Sequence, residues 1–427
     1  MLDDAGQPVR ERQVRWKLPS GAGHLSDTLT YTDSSGVAQV QWTLPSSPSD
    51  PSAPYGVEAT IADSSILFQA VALPESSADL EQGRVLGEGP TDYSFFIPPH
   101  GTVRGVVVFG SYSDLPWDVE PSAVYEEYFP RMIEWYREVS YGRLELVVTP
   151  LPQWLELPKT RAQYESEGYR TVTEDVLNVA DPEVDFREYD IVFFVSSGYG
   201  LNGSNLVNAG AGYLLDGVEV RGSVLFSPRS FVEDLRWLVL AHEAGHHFGL
   251  PDLYRSISGF TDNVYAGSWD LMSREASGAH FFGWHKRKLG WLESAQVLAL
   301  EIGGVEAILQ PLEVPGGLKI VVVKTSPWTA YVIEVRQPIG YDANLCDFGV
   351  LVYYVDSRIG TGEGPIRVSR HSGTAGACGP LSHAPLDLGA GEASKYVDPE
   401  IGLTVQVLSR EPAGAFRVRV RRDPEEP

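Results

Sequence analysis

The chain has 427 residues, which is too long for one ordinary hydrophobic core and predicts two or three domains. Hydrophobic residues make up 43% of the sequence and charged residues 21%, a balance typical of globular rather than disordered proteins. The formal net charge of −24 repels phosphate backbones and excludes a nucleic acid as an expected partner. No apolar run reaches the roughly 18–20 residues that span a bilayer, so membrane insertion is not expected.

Residues 1–73 contain short runs in which apolar and polar residues alternate, separated by clusters of Gly, Ser, Asp and Pro. The runs are Val14–Leu18, Ala38–Leu44 and Val57–Ile61. Alternation with period two and frequent turn residues predicts a small all-β sandwich.

This N-terminal segment resembles the bacterial immunoglobulin-like domains of invasin-type surface proteins. The matching features are Gly6-Gln7-Pro8-Val9, Thr32 to Ala38 and Gln41-Trp42-Thr43-Leu44. The strands that normally precede the Gly-Gln-Pro-Val turn are missing, so we expect an incomplete domain cut from a longer secreted precursor. The resemblance implies contact with a cell surface or matrix.

Residues 74–90 are rich in Gly, Ser and Glu and predict a linker. In the next segment, residues 91–298, Val103–Phe109 and Ile191–Val195 are continuous apolar runs, and Val124–Ser140 has helical spacing between them. Buried strands joined by a helix predict an α/β domain.

A second helix is predicted over Phe231–Phe248, with Ser230 and Glu233 forming a capping box and Gly249 ending it. Residues 299–422 return to strand-like runs and predict a C-terminal β-sandwich. These runs are Ile320–Lys324, Ala330–Val335, Gly349–Val355, Thr404–Leu408 and Phe416–Val420. Both cysteines, Cys346 and Cys378, lie in this last part, and their spacing permits either a disulfide or two free thiols.

The second helix carries the motif His-Glu-x-x-His at His242, Glu243 and His246. Residues four apart lie on one helix face, about 5–6 Å from each other, so both imidazoles can bind one zinc ion at roughly 2.0–2.1 Å. Gly249 permits a sharp turn through a positive φ, and Pro251 prevents the helix from continuing. Asp252 can then supply a third ligand, with the fourth position left for water as in catalytic zinc sites.

Other residues compete for the ligand roles. Glu275 would be the third ligand in a thermolysin-like arrangement, but its flanking sequence has weak helical character. His247 is expected on the wrong side of the helix and partly exposed. His280 and His285 lie in an aromatic stretch and are expected to be structural.

The spacing His-Glu-x-x-His-x-x-Gly-x-x-Asp resembles the metzincin signature with its last histidine replaced by aspartate. Met272, in Gly267-Ser268-Trp269-Asp270-Leu271-Met272, matches the methionine that metzincins place beneath the metal. Many metzincins have a tyrosine two residues later, but this chain has Arg274 there. Tyr265 or Tyr254 could instead support the oxyanion.

More specifically, residues 90–422 resemble the immune inhibitor A family of secreted bacterial metallopeptidases. The matching segments are Val139–Leu144, Gly249–Tyr254, Phe282–Trp291, Val332–Pro338 and Gly349–Asp356. The resemblance implies that His242, His246 and Asp252 bind Zn²⁺, that Glu243 is the general base, and that structural Ca²⁺ is present. The acidic run Asp181–Asp185 is one candidate calcium site, although it lacks an EF-hand pattern.

These features predict a secreted or cell-surface zinc endopeptidase that hydrolyses protein or peptide substrates with a zinc-activated water. By analogy with metzincins, an extended substrate is expected along an edge strand in the region Val218–Phe226. The alternative is a surface adhesin whose peptidase-like domain only binds. The intact Glu243 argues against the adhesin, because a binding protein does not need a general base.

Overall fold

The structure is a computed structural model that describes residues 7–43, 55–62, 64–70, 78–198, 202–206, 213–230, 236–257, 260–370, 381–389 and 391–423. The chain is rich in strands and divides into two compact units, Met1–Ser77 and Ala78–Pro427. Among the described residues, no helix has both the length and the apolar character needed to cross a membrane.

The first unit is all-β in its described part. Its strands are β1 (Gln13–Lys17), β2 (His24–Leu25), β3 (Leu29–Tyr31), β4 (Trp42–Thr43), β5 (Tyr55–Ile61) and β6 (Ser64–Ala70). An antiparallel sheet has the order β3-β1-β5-β6, and β2 pairs with β4. Alternate residues of β1 and β5 point into one small core with Leu25, as the period-two pattern predicts. The predicted strand Ala38–Leu44 is paired only at β4, and Leu44 lies outside the described residues.

The second unit begins with a five-stranded sheet of order β10-β13-β9-β7-β8. Four of its strands are parallel, and β10 runs antiparallel along one edge. In chain order the elements are β7 (Gly101–Ser111), α1 (Pro121–Val139), β8 (Leu144–Glu156), α2 (Arg161–Glu167), α3 (Tyr169–Ala180), β9 (Ile191–Ser196), β10 (Gly203–Leu206), β11 (Tyr213–Leu215), β12 (Val218–Val220), β13 (Gly222–Phe226) and α4 (Arg236–His247).

Helices cover both faces of this sheet, which explains why its central strands are apolar without alternation. Val107 and Phe193 pack on the side of α1 and α4. Val106 and Phe194, their neighbours in sequence, pack against α3 on the opposite side. The α/β layer predicted for this part of the chain is therefore present.

The predicted edge strand in the region Val218–Phe226 is wrong for the second part of that segment, Gly222–Phe226, which is β13. The structure divides that segment: β12 forms a hairpin with β11, and β13 is hydrogen-bonded on both sides, by β10 and β9. Continuous burial of β13 is the physical sign of an interior strand. Within the part of the chain that the structure describes, the outer strand of the sheet beside α4 is β10.

Two further sheets follow the hairpin of β14 (Arg255–Ile257) and β15 (Phe260–Asp262) and the short helix α5 (Gly283–Lys288). Their strands are β16 (Val297–Leu300), β17 (Gly303–Leu309), β18 (Ile320–Lys324), β19 (Thr329–Arg336), β20 (Gly349–Asp356), β21 (Ile366–Val368), β22 (Lys395–Asp398), β23 (Leu403–Arg410) and β24 (Phe416–Arg422). The sheet β16-β18-β19-β20-β21 shares a hydrophobic core with the sheet β17-β24-β23-β22. This is the two-sheet arrangement predicted for the C-terminal part.

The first of these sheets is buried on both faces. In β18, Val321 and Val323 pack into the core between the two sheets, whereas Ile320 and Val322 pack into the core that also contains α1 and α4. One hydrophobic core therefore crosses the predicted boundary at residues 298 and 299, and the structure places both sides in a single compact unit.

Residues 78–90 also differ from the predicted linker. Leu80 and Glu88 are buried, the amide of Glu81 donates to the carbonyl of Pro327 at 2.8 Å, and the hydroxyl of Ser357 donates to the carbonyl of Glu81 at 2.7 Å. Polar composition alone could not reveal this packing, because the hydrogen-bond partners of Glu81 and Glu88 lie at least 196 residues away in sequence. Residues 74–77 lie outside the described residues.

The shared core generates a stability prediction. Ile320→Ala should lower the free energy of unfolding by about 2–5 kcal/mol, because it leaves a cavity where the β-sandwich meets the α/β layer. Ile308→Ala, at a partly exposed position of β17, should change it by about 0.5 kcal/mol or less. Calorimetric unfolding of both variants tests the prediction, and equal destabilisation would contradict it.

Candidate metal centre

Helix α4 presents two histidines on one face. The ring centroids of His242 and His246 lie 5.0 Å apart, and the rings are perpendicular. The small residues Ala241, Ala244 and Gly245 of the same helix are buried and allow it to pack closely on its neighbours. The described part of the helix begins at Arg236, and Glu233 of the predicted capping box lies outside the described residues.

The chain turns sharply after the helix at Gly249, as the sequence predicts. Gly249 has φ +92°, and a Cβ at this position would meet Cγ2 of Thr91 at 2.7 Å, so only glycine fits. The amide of Gly249 donates to the carbonyl of His246 at 3.0 Å. Its own carbonyl accepts from the partly buried ammonium of Lys288 at 2.5 Å. This cation stabilises the carbonyl end of the helix.

The turn brings Asp252 to the two histidines. Its Oδ1 lies 3.1 Å from Nε2 of His242 and 3.2 Å from Nε2 of His246. One ligand atom from each of these three residues lies within 4.8 Å of the other two. Among the described residues, this is the one cluster of three or more His, Cys, Asp or Glu side chains with such geometry.

Besides the contact of its Nε2 with Asp252, each imidazole makes a hydrogen bond through Nδ1 that orients the ring. Nδ1 of His242 donates to the carbonyl of Leu271 at 3.1 Å, and Nδ1 of His246 donates to the carbonyl of Leu250 at 2.7 Å. With Nδ1 committed to a carbonyl, Nε2 of each ring is directed towards Asp252. Such carbonyl partners are the usual supports of metal-binding histidines.

The electrostatics couple the three residues strongly. Burial lowers the pKa of His242, but the hydrogen bond with Asp252 and the nearby carboxylates outweigh burial and raise that pKa to about 10. The pKa of His246 is raised by Asp252 as well, against the opposing effect of burial. Burial favours protonation of Asp252, but the two histidines hold its pKa well below the usual range. Asp252 is therefore an anion ready to neutralise a cation.

Glu243 lies beside the cluster, with Oε2 4.0 Å from Nε2 of His246. Burial raises the pKa of Glu243, and the two histidines oppose that effect. A carboxylate with a raised pKa at this distance can accept a proton from a molecule held near the histidines.

The two candidate tyrosines differ in position. The ring of Tyr254 stacks on His242 with centroids 6.2 Å apart. Burial is the main reason why the pKa of the Tyr254 phenol is raised, and the Asp252 carboxylate raises it further. Tyr265 instead packs against Gly364 and lies under the guanidinium of Arg367, 4.6 Å from its ring centre. The structure therefore brings Tyr254 to the cluster and uses Tyr265 elsewhere.

Met272 lies beneath the histidine helix and is fully buried. A Cβ on Gly245 would approach the Met272 sulfur to 2.9 Å, so the sulfur contacts the helix between the two histidines. Oδ1 of Asp270 accepts from the amide of Met272 at 2.7 Å and holds the turn. Oδ2 of Asp270 lies 2.9 Å from Nδ1 of His285, whose Nε2 lies 3.1 Å from Glu88.

The competing residues occupy other positions. Glu275 approaches Nδ1 of His242 at 4.0 Å, on the side of the ring that bonds Leu271, so it is poorly placed as a ligand beside Asp252. His247 is not partly exposed, as the sequence predicts, but buried, and burial lowers its pKa to about 4. Local sequence does not reveal this burial, because the core that covers this side of α4 comes from distant segments. His280 and His285 are buried and hydrogen-bonded to carboxylates, consistent with structural roles.

Asp185 of the acidic run pairs with Arg187 at 2.5 Å, and the calcium site there stays a prediction. Arg274 donates to the hydroxyl of Ser268 at 3.2 Å, beside a cavity of about 230 Å³ that Cys346 also lines. Cys346 is disulfide-bonded, and Cys378 lies outside the described residues.

Three residues around the centre escaped sequence reasoning: Thr361, Glu88 and Lys288. Thr361 bonds Asp252 across 109 residues, and Glu88 lies in the segment predicted as a linker. Lys288 lies within the segment Phe282–Trp291, but that segment did not indicate the contact of Lys288 with Gly249.

In comparisons with known proteins, no family model matches this chain and no curated protein gives a match.

The buried contact of His285 with two carboxylates generates a pH prediction. Burial lowers the pKa of His285, but Glu88 and Asp270 raise it to about 9, above the ordinary value of about 6.5. The protonated imidazole therefore stabilises the fold fully below about pH 6.5, and this contribution is lost as the pH rises through about 9.

His285→Asn should thus have a lower free energy of unfolding than wild type. The difference between the two free energies should shrink as the pH rises from about 6 to about 10. Urea unfolding of both proteins at several pH values measures the difference, and taking the difference cancels the titration of groups that do not contact His285. A gap that stays constant over this range would contradict the prediction.

Proposed function

We propose that this chain is a secreted or cell-surface zinc endopeptidase of the immune inhibitor A type. The observation that carries the proposal is the convergence of His242, His246 and Asp252 on one point, with Glu243 beside it. The donor set fits zinc: two Nε2 atoms with committed Nδ1 protons and one ionised carboxylate oxygen. Three protein ligands leave a coordination position open, which distinguishes catalytic from structural zinc sites.

A zinc ion held there would supply Lewis acidity, polarising a peptide carbonyl and acidifying water. Glu243 then accepts the proton of the attacking water and delivers it to the leaving amine. Burial supports this role, because a raised pKa makes the carboxylate a better proton acceptor. The phenol of Tyr254 is kept protonated by burial and by its hydrogen bond with Asp252, and by turning from Asp252 it can donate that hydrogen bond to negative charge developing on the carbonyl oxygen.

Strand β10 is the proposed binding surface for an extended protein or peptide substrate. It is the outer strand of the sheet among the described residues and packs beside α4. Next to β10, the phenol of Tyr169 donates to the carbonyl of Asn202 at 2.7 Å. Burial is the larger cause of the raised pKa of Tyr169, and the nearby Glu243 carboxylate is the second cause. A peptide that pairs with β10 would therefore pass Glu243.

Several features together support a metzincin-like arrangement. They are a mostly parallel sheet with one antiparallel edge strand, a helix with two histidines next to that edge, and a methionine turn beneath the helix. The N-terminal all-β unit is proposed to contact a cell surface or matrix, and structural Ca²⁺ remains part of the proposal.

The role of Glu243 is tested by Glu243→Gln. This isosteric change should reduce hydrolysis of a general protein substrate by about 10²- to 10⁴-fold, because the proton acceptor is lost, while zinc content stays near that of wild type. Parallel measurement of zinc and proteolysis checks both halves of the expectation. Unchanged hydrolysis would contradict the assignment. Binding of the substrate without hydrolysis in the zinc-loaded wild type would favour the adhesin.

The ligand set is tested by elemental analysis of purified wild type, Asp252→Ala and Glu275→Ala. Wild type and Glu275→Ala should carry stoichiometric zinc, and Asp252→Ala should lose most of it, because two histidines alone bind the metal weakly. Full zinc in Asp252→Ala would move the third ligand elsewhere. A folded wild type that neither contains nor takes up zinc would refute the peptidase.

A further inference from the structure

Asp252 lies on a segment without regular secondary structure, residues 251–253, so something other than a helix or strand must hold it. Three hydrogen bonds to Asp252 come from the 357–365 loop, which connects β20 to β21. The amide of Asp252 donates to the hydroxyl oxygen of Thr361 at 2.9 Å. The Thr361 hydroxyl donates to Oδ2 of Asp252 at 2.8 Å. The amide of Gly362 donates to the carbonyl of Asp252 at 3.1 Å.

These bonds favour one orientation of the Asp252 carboxylate relative to the histidines. The Thr361 oxygen accepts the amide proton of Asp252, so its single hydroxyl proton is directed to Oδ2. Oδ2 is thereby engaged, and Oδ1 is the oxygen at 3.1 and 3.2 Å from the two Nε2 atoms. The carboxylate is oriented to offer one oxygen to a metal and the other to the loop.

The loop is itself well anchored in the second unit. The amide of Ser256 donates to the carbonyl of Gly362 at 2.9 Å. Gly364 has φ +76°, and a Cβ there would overlap the ring of Tyr265. The carbonyl of Tyr265 accepts from the amide of Val368 at 2.8 Å. The residue that sequence reasoning considered for oxyanion support thus supports the loop that holds Asp252.

We propose that Thr361 is a positioning residue for the third metal ligand, so that a loop of the C-terminal β-sandwich contributes to metal affinity. The inference rests on the proposed zinc centre. Removal of a hydrogen-bond partner of a metal ligand typically weakens metal affinity by about 10- to 100-fold. Loss of the Thr361 hydroxyl should have an effect of this size.

The experiment measures zinc affinity of the full chain, stripped of metal, by competition with a chromogenic zinc chelator. Thr361→Val keeps the side-chain shape and removes the hydroxyl, and Thr361→Ser restores the hydroxyl. Thr361 is exposed, so these changes should affect folding little. Thr102→Val is the matched control, because exposed Thr102 also donates to a carboxylate, that of Glu145 at 2.9 Å, on β7.

The expected result is a zinc Kd raised about 10- to 100-fold in Thr361→Val and near wild type in Thr361→Ser and Thr102→Val. In an Asp252→Ala background, adding Thr361→Val should change the Kd no further, because the hydroxyl acts through the missing carboxylate.

Three results would overturn the inference while leaving the zinc centre intact: a wild-type Kd in Thr361→Val, an equal loss in Thr361→Ser, or a further loss in the Asp252→Ala background. A wild-type protein that does not bind zinc would overturn the proposed function itself, and that outcome is distinct from the other three.

Discussion

The arrangement around Asp252 depends on one electrostatic constraint: a largely buried carboxylate must meet opposite charge or strong hydrogen-bond donors. Its Oδ1 faces two imidazoles from α4, and its Oδ2 faces a hydroxyl from the 357–365 loop. Two chain segments more than 100 residues apart therefore have to converge on one side chain. The turn at Gly249 and the anchoring of the loop on Ser256 and Tyr265 serve this convergence.

A second buried carboxylate, Asp270, joins several chain segments at the turn beneath the histidines. It accepts from the amides of Met272 and Phe282 and contacts His285, while the next residue, Leu271, provides the carbonyl that orients His242. Glu88 continues the chain of contacts by accepting from Trp284 and bonding His285. Each buried charge here has a partner, so these contacts specify one geometry for the turn rather than only adding stability.

The β-sandwich joins the α/β layer through both apolar and ionic contacts. The fully buried Arg336 of β19 donates to the carbonyl of Trp269 at 2.7 Å, immediately before Asp270, and pairs with Asp342 at 2.5 Å. Since β18 and β19 are covered on both faces, the sandwich cannot separate from the layer without exposing apolar surface and breaking the buried hydrogen bond from Arg336 to the carbonyl of Trp269. The C-terminal strands therefore help to shape the centre, although its predicted ligands all precede them in sequence.

Sequence alone determined the features that depend on local geometry. The periodicity of α4 places His242 and His246 on one face because a helix repeats every 3.6 residues, and Gly249 followed by Pro251 requires a turn that carries Asp252 back. Apolar runs likewise predicted β7, β9, β18, β19 and β20. Only the tertiary structure decided the contacts made across long separations: the burial of His247, the packing of Glu88, the edge position of β10 and the bond from Thr361 to Asp252. Such contacts leave no periodic signal, because they arise when distant segments share one core, and a side chain's neighbours in space are then unrelated to its neighbours in sequence.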